Sequence, residues 1–123
     1  MNSKGFKSGA LIAPVLALLS FLILACGSEE PQQLGGSQLF ADNCARCHGE
    51  MADGTNTGPP LVHRLYEPGH HPDFSFQNAV KNGVISHHWE FGDMAPVPGL
   101  SEDEVTEIIA YVRNLQRDGG IIR

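Results

Sequence analysis

With 123 residues and 41% apolar side chains, the chain is long enough for one small domain and a modest core. Its formal net charge is −6, from 14 acidic against 8 basic residues. A surplus of acid gives no basic face for a phosphate backbone, which argues against a nucleic-acid role.

The first residues are set apart from any folded domain. Lys4 and Lys7 make a basic start, and Leu11 to Leu24 is apolar apart from Pro14 and Ser20. This is the form of a secretory signal, and the run is too short and too poorly flanked for a transmembrane helix. The segment closes on Ile23-Leu24-Ala25-Cys26, which resembles a bacterial lipobox. That resemblance implies that residues 1–25 are removed, that Cys26 carries the lipid attachment, and that the protein is exported and anchored to a bacterial membrane on its periplasmic or extracellular face. Losing residues 1–25 removes two Lys and no acid, leaving about −8. An acidic exported protein is steered toward partners with basic docking patches.

Residues 26–35 read as a flexible tether, because Ser28 to Gln33 and the Gly35-Gly36 pair offer no apolar face. A first helix is predicted from Ser37, as N-cap, to about Ala45, with Phe40 and Cys44 on one face. Gly36 lies four residues before Phe40 and permits another backbone to come close.

Cys44-Ala-Arg-Cys47-His48 is the C-x-x-C-H pattern of covalent haem attachment. Two thiols on one helical turn can each form a thioether with one of haem's two vinyl groups, and the adjacent His48 can give Nε2 to the iron. A redox C-x-x-C pair needs no His directly after it, and no βαβ context is present. A zinc site needs more ligands than Cys44 and Cys47, and His70, His71, His87 and His88 could supply them. With Cys26 lipidated and Cys44 and Cys47 on haem, no thiol is left over.

Gly49 to Leu61 is a loop, broken by Gly54, Gly58, Pro59 and Pro60. It would wrap the His48 side of a haem. The carbonyls of Pro59 and Pro60 are free to accept from outside their local chain, as the second nitrogen of a metal-bound His requires. Leu61 to His71 carries little pattern. A short helix is predicted over Asp73 to Val80, capped by Asp73 and ended by Asn82-Gly83. Ile85 to Gly99 is irregular. The last helix is the clearest: Ser101 and Glu104 form a capping box, Val105, Ile108, Ile109, Val112 and Leu115 an apolar stripe, and Gly119-Gly120 a stop. Arg113 and Arg117 suit the negative end of its dipole.

From Gly36 to Leu115 the chain resembles a bacterial class I monohaem c-type cytochrome, in lipoprotein form. The resemblance rests on Gly36-x-x-x-Phe40, Cys44-x-x-Cys47-His48-Gly49, Thr57-Gly58-Pro59-Pro60-Leu61, Gly92-Asp93-Met94 and Ile108-Ile-Ala-Tyr-Val-Arg113, in that order. It implies an all-α fold over residues 36–118, with the first and last helices crossed beside one covalent haem c and residues 119–123 as a tail. It implies His48 as proximal and Met94 as distal ligand, with Pro59 holding the His48 Nδ1–H and Leu61 in the cofactor site. Ile108 and Tyr111 would pack the helix crossing on Gly36 and Phe40. Ala95 departs from the family, which has Pro directly after the Met.

Among the side chains themselves, Met51 is too near His48 to reach the opposite face of a ring, whereas Met94 lies in a Pro/Gly-rich loop that returns over it. His87 and His88 are the alternative sixth ligands. The Trp89 indole can donate to a haem propionate or pack on the haem edge. Two functions follow. One is single-electron transfer without catalysis, as a free shuttle or a subunit of a respiratory complex, with redox proteins as partners and no small-molecule substrate. The other is a haem-based gas sensor or haem enzyme subunit whose sixth ligand is labile.

Overall fold

A computed structural model describes residues 35–123; the expectations for the signal segment, Cys26 and most of the tether lie outside the described residues. Among the described residues there are four helices, α1 (Gly36–Asn43), α2 (Ala45–His48), α3 (Asp73–Asn82) and α4 (Glu102–Asp118), and one 3₁₀ turn at Arg64–Tyr66. The all-α expectation holds. Among the described residues the only β pairing is an isolated bridge between Val84 and Met94.

The helix α1 starts two residues earlier than a Ser37 cap would set. Gly35 is the N-cap, extended at φ −67° and ψ 156°, with no side-chain cap bond. Its carbonyl takes the N–H groups of Gln38 at 2.9 Å and Leu39 at 3.0 Å, so the first turn closes before Ser37 can cap it. The helix also stops short of Ala45. Cys44 leaves helical geometry at φ −123° and becomes the N-cap of α2. The C-x-x-C-H segment therefore occupies its own one-turn helix, with Cys47 N–H and His48 N–H both donating to the Cys44 carbonyl.

Packing of α1 on α4 fixes the core. Leu39, Phe40, Ala52, Leu61, Ile108 and Val112 are buried together, and the Tyr111 ring meets Phe40 at 5.4 Å between centroids. The close approach depends on Gly36: a Cβ there would lie 2.0 Å from the Glu107 carbonyl oxygen. The α4 start is the capping box the sequence predicts. The Ser101 hydroxyl accepts from Glu104 N–H at 3.2 Å, and the Glu104 carboxylate accepts from Ser101 N–H at 2.8 Å. The Ser101 N–H and hydroxyl both donate to that carboxylate, at 2.8 Å each, and hold it below its ordinary range.

Arg113 is not a solvated cation at the helix end. It is 6% exposed and Gln116 is fully buried, both on the face of α4 that meets residues 61–73. The Arg113 guanidinium donates to Asp73 Oδ1 (2.9 Å), the Tyr66 carbonyl (2.5 Å), the His71 carbonyl (2.6 Å) and Gln116 Oε1 (2.8 Å). Gln116 Nε2 donates to the Leu61 and Tyr66 carbonyls. A segment with few apolar residues is thus tied to α4 by charge-assisted hydrogen bonds, which offset the cost of burying the guanidinium. The same network corrects the α3 cap. Pro72 is the N-cap and Asp73 the first helical residue, because the Asp73 carboxylate faces Arg113 rather than the helix N–H groups.

Candidate functional site

The C-x-x-C-H turn forms one side of a cavity of about 660 Å³. Cys44 lines it from the junction of α1 and α2 and His48 from α2, Pro59 and Leu61 from the following loop, and Trp89 and Met94 from the loop before α4. Phe40, Val105 and Ile109 add apolar wall from the helix crossing. Cys47 is exposed and stands beside the cavity rather than in its wall.

His48 is held in one orientation. Its Nδ1–H donates to the Pro59 carbonyl at 2.8 Å, which leaves Nε2 as the free lone pair. Burial lowers the His48 pKa from the ordinary imidazole value, and the Pro59 carbonyl opposes that shift. A neutral ring with a free Nε2 is what an iron ligand requires. The Pro59 carbonyl is delivered by a hooked loop: Thr55 Oγ1 donates to the Cys47 carbonyl at 2.6 Å, and Thr55 N–H to the Gly58 carbonyl at 3.0 Å.

Cys44 lacks the character of a redox-active thiol. Cys44 is pushed up to about 11, by burial first and then by Cys47 beside it. Dithiol redox sites work through a depressed thiolate pKa.

Met94 comes from a loop stapled to the end of α3. Its N–H and carbonyl both pair with Val84 at 2.9 Å, and Val97 N–H donates to the Val80 carbonyl at 2.8 Å. Gly83, at φ +75°, makes this possible, since a Cβ there would lie 2.4 Å from the Met94 carbonyl oxygen. The staple replaces the stiffness that a Pro at Ala95 would give. In the sequence Gly83 reads only as a helix stop, and nothing there signals that its backbone meets that of Met94. Met51 is 58% exposed and lies outside the cavity wall.

A family model described as Cytochrome c matches residues 34–116. The chain belongs to the cytochrome c family. It is 30% identical over 91 residues to a cbb3-type cytochrome c oxidase subunit CcoP of Rhodobacter capsulatus, covering 72% of this chain and 31% of that one. It is also 30% identical over 110 residues to the subunit of the same name from Rubrivivax gelatinosus, covering 89% of this chain and 34% of that one. The chain thus spans about a third of the curated relatives it matches. No solved structure gives a significant match.

Haem c is the covalent cofactor of a cytochrome c, and the cavity walls fit it. Cys44 and His48 line the cavity, Cys47 lies between them on the same one-turn helix, and the walls are mostly apolar. The Trp89 indole Nε1 is buried with no hydrogen-bond partner among the described residues. Burial raises the Tyr66 hydroxyl above its ordinary value and the nearby Trp89 indole opposes the rise, yet the two groups do not reach hydrogen-bond geometry. An unpaired buried donor is costly, and a propionate oxygen would satisfy it. Phe74 and Phe91, 72% and 39% exposed, also line the cavity, where a porphyrin edge would cover them.

Proposed function

We propose that this cytochrome c is a membrane-tethered carrier of single electrons, with one covalent haem held by Cys44 and Cys47 and ligated by His48 and Met94. The observation that carries the reading is the shared cavity: His48, with Nε2 left free by the Pro59 bond, and Met94, on a backbone pinned to Val84, both line it. Haem supplies a one-electron iron couple. The chain's own residues fix the proximal imidazole, keep it neutral, bring a thioether to the cavity and exclude water with Phe40, Leu61 and Ile109. A neutral soft sulfur favours Fe(II) and raises the potential relative to a second imidazole. With His48 and Met94 both holding the iron, there would be no open position for a substrate, and the protein would carry electrons rather than catalyse a reaction.

The likeness to oxidase subunits supports a place in a respiratory electron path, as a shuttle or a bound subunit. The acidic balance supports docking on basic patches of redox proteins. Among the described residues no helix is long and apolar enough to cross a membrane. The anchor in this proposal is a lipid on Cys26, carried on the outer face of a bacterial membrane. Cys26→Ser is expected to release the protein from the membrane fraction and to remove the lipid mass; an unchanged fractionation contradicts the anchor.

His87 and His88 also line the cavity, which keeps the gas-sensor reading specific. A reduced-minus-oxidised spectrum with and without carbon monoxide separates the two. The electron-carrier reading expects a reversible one-electron couple and no carbon monoxide response; ready formation of a carbon monoxide adduct in the native protein favours the sensor.

A further inference from the structure

The electron-carrier function leaves four histidines unused, and the fold gathers them. His70 and His71 lie in the turn between Tyr66 and α3; His87 and His88 lie sixteen to eighteen residues further along, in the loop that leads to Met94. Their rings form one group at the cavity wall, with centroids 4.3 Å apart for His87 and His88, 4.8 Å for His70 and His71, and 5.1 Å for His70 and His88. We propose that His70, His71 and His88 form a binding site for a borderline divalent transition ion of the Zn²⁺ class, on the wall of the haem cavity and separate from the proposed iron ligands.

Three features carry this. First, one ring nitrogen from each of the three residues lies within 4.8 Å of the others. The tightest pair, His70 Nε2 and His88 Nε2, is 3.1 Å apart. Two nitrogens bound to one tetrahedral Zn²⁺ at about 2.0–2.1 Å lie roughly 3.3 Å apart, so this pair is already at ligand spacing. Second, His71 is oriented in the way metal-bound imidazoles are. Its Nδ1–H donates to the Leu65 carbonyl at 2.5 Å, leaving Nε2 toward the group. His87 repeats the pattern, with Nδ1–H on the Ile85 carbonyl at 2.9 Å, and stands next to the three as a reserve ligand. Third, the backbone beneath is fixed. The His70 and His71 N–H groups both donate to the Glu67 carbonyl, and Arg113 donates to the His71 carbonyl. The Arg113 charge is paired with Asp73 at 2.9 Å, so the approaching cation meets an ion pair rather than a bare guanidinium. Imidazole-only donor sets suit zinc, copper and nickel, and three protein nitrogens leave a fourth position for water. His70 and His88 are exposed, which gives the ion an entry path.

The test is calorimetric titration of the haem-loaded ferric protein with Zn²⁺ alone, while the haem absorption is recorded. The expected result is one saturable Zn²⁺ per chain with unchanged iron-ligand bands. His70→Ala and His88→Ala are each expected to weaken binding at least about tenfold. His63→Ala, whose Nδ1 instead accepts from Leu65 N–H, is expected to leave it unchanged. Both cluster substitutions are at exposed positions, and an unchanged helical circular dichroism signal verifies that each variant is folded. Absence of saturable binding, or equal binding by the His70→Ala/His88→Ala double variant, overturns the site. Displacement of the haem bands by Zn²⁺ also overturns it, because the histidines would then be competing for the iron. The haem spectrum and the zinc stoichiometry are read separately, so failure of the electron-carrier reading does not decide this one.

Discussion

Met94→Ala is expected to open the sixth coordination position of the iron, so that the ferrous protein binds carbon monoxide while the native protein does not. The substitution removes only a side chain. The Met94 backbone stays paired with Val84 through two bonds of 2.9 Å, and Gly83 still admits its carbonyl, so the loop keeps its place. In the proposed ligation, loss of the thioether also removes the group that favours Fe(II). The midpoint potential is expected to fall by on the order of 100 mV, within the range of about 0.8 V that axial ligands span. Met94→His is expected to restore six-coordination at a potential below the native one, because imidazole stabilises Fe(III) better than thioether does. The weak ferric thioether band at the red end of the visible spectrum should vanish in both variants. A Met94→Ala protein with native spectrum, potential and carbon monoxide response would make His87 or His88 the ligand.

Gly36→Ala is expected to destabilise the domain by about 3 kcal/mol, the upper part of the usual range for overpacking. The added methyl would sit 2.0 Å from the Glu107 carbonyl oxygen and 2.6 Å from its carbon. These are backbone atoms in the middle of α4, so no side chain can swing aside. The helices must separate, and Phe40 and Tyr111, 5.4 Å apart at the crossing, must repack. A fall in the denaturant midpoint at unchanged slope is the expected signature. Gly35→Ala, where a Cβ meets nothing within 4 Å, is the control and should cost far less. Equal stability of the two variants would show that the crossing is not close-packed.

The sequence made the chemistry legible where spacing and residue type coincide. C-x-x-C-H puts thiols and imidazole on one turn, and the capping box with its stripe defines α4 from Ser101 to the Gly119 stop. Residues that act through distant partners were not legible. Arg113 and Gln116 look like solvated residues beside an apolar stripe, and only the fold brings the carbonyls of Leu61, Tyr66 and His71 to them. Asp73 has the residue type of an N-cap, yet Arg113, forty residues away in the chain, takes its carboxylate. Ser37 has the same local credentials, but Gly35 begins the helix because Gly36 must lie inside it against Glu107. The four histidines appear in sequence as two separate pairs, and no periodicity links His70-His71 to His87-His88. Their meeting depends on α3 turning the chain back and on the Val84–Met94 bridge closing the loop.

The most direct test of the covalent haem assignment is the intact mass of the exported, purified protein after denaturation and extraction with acidified organic solvent. Thioether bonds of the kind proposed for Cys44 and Cys47 survive that treatment, so the chain is expected to retain the mass of one haem. Cys47→Ala is expected to lower the covalently loaded yield sharply. A chain that comes through extraction at its polypeptide mass, with all haem in the solvent, would contradict the account.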